Sequence, residues 1–109
     1  MITGVMDPDG GVDGTDTTNY LARAIELYAI ADISDLSKYG IGAANNGGGT
    51  DGLEYSLDPV SASNGDDILV ARSVEAMSAY FADCYSAFDI IMIANSKIDQ
   101  NGNDAIELY

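Results

Sequence analysis

The aspartates are the residues here whose type and spacing can do chemistry. Of 18 acidic residues fourteen are Asp and four are Glu, set against four Lys and Arg together and no histidine. Asp is a short, well-placed oxygen ligand for a hard cation, and it is equally a turn residue. Asp7, Asp9, Asp13 and Asp16 stand within ten residues, in DPDGGVDGTD. Calcium takes about six to eight oxygens in flexible geometry, and a glycine-rich loop lets carbonyls and short carboxylates converge on it. The opening D-x-D-G matches the start of a calcium loop. No glutamate occupies the twelfth place, so this is not an EF-hand, and a flexible acidic loop without metal is the alternative.

A second candidate lies in DQNGND, where Asp99, Asn101 and Asn103 give a D-x-N-x-N spacing and Asp104 adjoins them. Its alternative is a tight turn on Asn-Gly joining two strands, which needs no metal. Asp66 with Asp67, and Asp51 in GGGTDG, are weaker candidates of the same kind. The glycines of NNGGGTDG do not form a phosphate cradle, since no Lys or Ser/Thr follows in the P-loop pattern. Glu26 and Glu107 sit in identical pentapeptides and would form a carboxylate pair if their strands adjoined. Nothing near them splits their pKa values, so catalysis is not expected. Calcium is the one cofactor these residues call for.

Charge and length set the outer bounds. At 109 residues the chain suits one domain with a core of its own. A net charge of −14 argues against a nucleic-acid surface and against an anionic membrane, both of which need Lys and Arg. Cys84 is the only cysteine, so no internal disulfide forms, and a buried thiol among aromatics is expected. No stretch is long and apolar enough to insert in a membrane. The opening MITGVMDPDG has neither a basic nor an apolar leader segment, which fits a cytosolic origin, a mature form or a trimmed chain equally.

The elements that must position these residues read as short strands. AIELY occurs at residues 24–28 and again at 105–109, with Ile and Leu on one face and Glu and Tyr on the other. The second copy follows NGND with too few residues for a helix, so both are read as strands. ITGV, YGIGAA, LEYSLD, DILVAR and FDIIMIAN are further strands, separated by Gly, Asp and Asn turns. SVEAMSAYFADCYSAF changes character and predicts one short helix over 73–83, capped by Ser73, with Val74, Met77, Tyr80 and Phe81 on its core face. Six or seven short strands with one helix make an all-β chain of the β-sandwich type.

The order AIELYAIADISDLSKYGIGAANNGGGTDGLEYSL, then GDDILVAR, then NGNDAIELY, resembles bacterial lamin-tail-like domains over residues 20–109. Lys38 departs from the glycine usual there, as does FDIIMIANSKIDQ before the last motif. The resemblance implies an immunoglobulin-like β-sandwich spanning 1–109 as a single domain. It implies another strand after the last motif, so the domain is expected to lack its final strand. It further implies a non-catalytic module of the extracellular space or cell surface. Such a module would be calcium-stabilised and act in adhesion or self-assembly, as a homo-oligomer or filament completed by strand addition. The alternative is an accessory binding domain of a larger secreted hydrolase such as a nuclease. Neither names a small-molecule substrate.

Overall fold

The computed structural model describes residues 1–6, 23–44, 48–50, 52–81, 84–98 and 104–109, with backbone alone for 79–81 and 84. The described chain is mostly β, with little helix. Its seven strands are β1 (Ile2–Met6), β2 (Ala24–Tyr28), β3 (Gly40–Ala44), β4 (Tyr55–Ser56), β5 (Asp67–Ala71), β6 (Ile90–Ile93) and β7 (Ala105–Leu108). They make a four-stranded sheet in the order β1-β2-β5-β6 and a three-stranded sheet in the order β4-β3-β7. All neighbours run antiparallel except β5 and β6, which are parallel. A parallel pair needs a crossover. That crossover carries the helix α1 (Val74–Phe81) and a 3-10 turn at Cys84–Ala87.

One apolar core joins the two sheets. Ile25 and Leu27 of β2, Ile68 and Val70 of β5 and Met92 of β6 meet Ile41 of β3 and Leu57, with Ile106 of β7 packed against them. Ile25 is 1 % exposed, and burying such a side chain contributes roughly 1.5–3 kcal/mol. A second cluster lies on the opposite face of the four-stranded sheet, where Ala24, Leu69 and Ala71 meet Met77 of α1, with Tyr85 and Phe88 beside them. β5 is therefore covered on both faces, which is why it reads ILVA without the usual polar alternation.

Most expected elements are present, and their differences have local causes. Ser73 caps α1, its Oγ accepting from the Ala76 N–H at 3.3 Å. Val74, expected on the core face, is instead 41 % exposed, and Ala76 joins Met77 in the buried set. Of the expected core face Met77 is buried, and the side chains of Tyr80 and Phe81 lie outside the described residues. LEYSLD is a strand only at Tyr55 and Ser56; Glu54 N still donates to Ile41 O at 3.0 Å, and Gly52 and Leu53 lie over β3. A Cβ on Gly42 would stand 2.1 Å from the Gly52 carbonyl oxygen, and one on Gly40 would stand 2.7 Å from that of Tyr55. These two glycines let a loop cross the outer face of the smaller sheet.

The two AIELY copies occupy different sheets. The first is an interior strand, flanked by β1 and β5, and the second, among the described strands, lies at an edge and pairs with β3. Glu26 and Glu107 are therefore not cross-strand neighbours, and the carboxylate pair that their shared pentapeptide allowed does not form.

Candidate functional site

Most sequence-predicted ligands fall outside the described residues. Asp7, Asp9, Asp13 and Asp16 do so, as do Asp99, Asn101 and Asn103, whereas Asp104 stands half-buried just before β7. Among the described residues no group of three or more His, Cys, Asp or Glu side chains is placed to hold a metal ion. Several described carboxylates accept backbone N–H groups, some within a turn and some from distant parts of the chain. Asp32 Oδ1 accepts from Asn64 N at 2.8 Å, Asp66 Oδ2 from Ser63 N at 2.8 Å, and Asp89 Oδ2 from Asp67 N at 2.8 Å. Asp35 accepts from both the hydroxyl and the backbone N–H of Ser37, in that order of importance, which lowers its pKa.

The second AIELY copy builds a more distinctive feature. Tyr109 and Gly40 exchange both backbone hydrogen bonds, at 2.7 and 3.0 Å. In an antiparallel ladder such pairs alternate, so Glu107 and Ala105 also turn their backbone groups toward β3. Ile106 and Leu108 consequently direct N–H and C=O away from β3, toward a side where no described strand pairs with β7. Their side chains take the core-facing side, and those of Glu107 and Tyr109 take the outer side.

Each face of this edge has its own chemistry. On the outer face the Tyr109 hydroxyl donates to Glu107 Oε2 at 2.7 Å and is itself bonded to the Thr50 hydroxyl. Hydrogen bonds from Thr50 and then Tyr109 hold the Glu107 carboxyl below its ordinary pKa, so it is an anion at neutral pH. Glu26, its counterpart in β2, accepts from the Thr3 hydroxyl at 2.8 Å. On the core side, Leu108 lines a cleft of about 520 Å³ that opens between the sheets. Leu27, Leu36, Leu57 and Ile68 form its floor, with Met1, Ile30 and Tyr39 at its rim. Ile30 is 67 % exposed and Leu108 39 %. Volumes of this order, lined mainly by apolar groups, are typical of binding sites.

Sequence reasoning missed the cleft. Its signal was present in the run Ala29-Ile30-Ala31, where the apolar character continues after the alternation of β2 has ended. A smaller apolar hollow of about 280 Å³ lies on the outer face of the four-stranded sheet, between Val5, Met6, Leu69 and Met77, with Glu26 and Tyr85 beside it. Compared with protein-family models, curated proteins and solved structures, the chain matches none.

Proposed function

We propose that this chain is a non-catalytic structural module of the extracellular space or cell surface, an immunoglobulin-like β-sandwich of the lamin-tail-like kind. It works in adhesion or self-assembly by accepting an added strand along β7. The observation that carries this reading is the outward-facing backbone of Ile106 and Leu108, with Leu108 on the wall of an open apolar cleft. An exposed edge is a template for another chain, with main-chain bonds supplying affinity and alternate side chains supplying specificity. Two sheets sharing one core support the sandwich. Calcium, bound at the acidic loops, would relieve the repulsion of a molecule carrying −14.

Amide hydrogen exchange followed by NMR tests the strand-acceptor reading directly. In dilute monomer the amides of Ile106 and Leu108 should exchange rapidly while those of Glu107 and Tyr109 are protected. Protection of all four in dilute monomer would mean that the edge is already covered, and the reading would fail.

A further inference from the structure

We infer that the strand accepted by β7 belongs to another protein and alternates apolar with basic residues. The inference rests on the strand-acceptor reading above and specifies the partner's chemistry. Directly opposed residues in a sheet share a face. Residues opposite Ile106 and Leu108 would therefore point to the core side, and the one opposite Leu108 would face the cleft of about 520 Å³ that Leu108 lines with Leu27, Leu57 and Ile68. Apolar side chains suit that side. The residue opposite Glu107 would point to the outer face, with its Cβ about 4.5–5.5 Å from that of Glu107.

Glu107 is ionised there, held by Thr50 and Tyr109. An acid placed opposite it would meet like charge, and a lysine or arginine would meet its complement. The whole molecule reinforces the local preference, since a net charge of −14 repels anionic partners and steers cationic ones.

Charge also argues against a second copy as the occupant. The only basic residues of this chain, Arg23, Lys38, Arg72 and Lys97, are so widely spaced that no strand of it carries two. Pairing β7 with β7 of another copy, with Ile106 opposite Leu108, would set Glu107 against Glu107. Two molecules of −14 would be brought together at the same time. A basic, alternating segment avoids both costs.

Three blocked peptides of about eight residues, the length of a long strand, would test this on the unaltered protein. One alternates valine with lysine, one carries the same residues as a valine block followed by a lysine block, and one alternates valine with glutamate. Fluorescence anisotropy would give affinity, and exchange at Ile106 and Leu108 would report strand addition. The alternating valine–lysine peptide should bind about tenfold or more tighter than either control, and added salt should narrow its lead over the glutamate peptide. It alone should protect the two amides.

N-methylating every second nitrogen on its edge-facing side should abolish that protection. Leu108→Pro should weaken binding by about tenfold, because it removes an outward N–H and leaves the β3 ladder intact. The N-methylated peptide tests the same bonds should that variant fail to fold. Equal binding by the block isomer would overturn strand addition in favour of bulk charge attraction. Equal binding and protection by the glutamate peptide would overturn the charge preference while leaving the strand-acceptor reading standing. Protection of Ile106 and Leu108 in concentrated protein alone would assign the edge to a second copy. Protection by no peptide and at no concentration would remove both the partner and the reading beneath it.

Discussion

At Gly42 the outer face of the smaller sheet comes down to one hydrogen in place of a methyl group. A Cβ there would press on the Gly52 carbonyl at 2.1 Å and crowd the Tyr109 ring at 3.1 Å. Backbone cannot move aside as a flexible side chain can, so Gly42→Ala should lower stability by about 1–3 kcal/mol in urea unfolding. Gly49, with nothing within 4 Å of its added Cβ, is the matched control. Single titrating groups act at opposite ends of the pH scale. Burial first, and then the hydrogen bond to Asp58, push the Tyr55 hydroxyl up to about 12 from 10.0. A raised folded pKa contributes stability that is complete below the unfolded value and lost as pH climbs through the folded one. Tyr55→Phe should therefore cost about 1 kcal/mol at neutral pH and flatten the decline expected in wild-type melts from pH 10 to about 12. Glu107 has the reverse sign. Its lowered pKa contributes stability above the ordinary carboxylate range, lost as pH falls through the folded value. The difference in melting temperature between wild type and Glu107→Gln should shrink on acidification.

Among the elements, the two AIELY strands form an internal experiment. Among the described strands, identical residues sit in the interior of one sheet and at the edge of the other. Ile25 is 1 % exposed in the centre of the core, while Ile106 is a half-buried neighbour of it. Removing the same methylenes should thus have unequal effects. Ile25→Ala should cost about 2–5 kcal/mol and Ile106→Ala distinctly less, as measured by denaturant midpoints at constant slope. Equal losses would mean that the edge strand is as deeply packed as the interior one. The crossover helix makes a separate contribution. Ser73 satisfies one N–H at its start, so Ser73→Ala should cost about 1 kcal/mol. The loss should appear first in exchange of the α1 amides, since the helix covers the outer cluster and not the shared core.

For the molecule as a whole, net charge is the governing quantity. At −14 the folded state holds its carboxylates closer together than the unfolded chain does, so monovalent salt should raise the melting temperature. Calcium should raise it further than magnesium at matched ionic strength. A site formed only on folding stabilises by about 2.7 kcal/mol at a hundredfold excess over its Kd. Circular dichroism in EGTA and then in millimolar calcium checks this, with light scattering alongside to report any assembly. A calcium response no larger than the magnesium one would leave charge screening as the whole effect.

Alternation of Ile, Glu, Leu and Tyr, the turn residues between short runs, and Ser73 ahead of an alanine-rich stretch were enough to read a mostly β chain with one helix. Each is a local property, set by side-chain direction and backbone preference within a few residues. Sequence also determined the charge, and with it the kinds of partner the surface repels. It did not determine that the two AIELY strands part into different sheets, because pairing is decided by contacts between distant residues that one pentapeptide does not encode. The parallel pairing of β5 with β6 was hidden for the same reason, as was the exposure of Val74, which depends on which face the helix turns to the rest of the chain. Only the tertiary structure turned the backbone of Ile106 and Leu108 outward and set Leu108 against a cleft, since both follow from the register of β7 on β3.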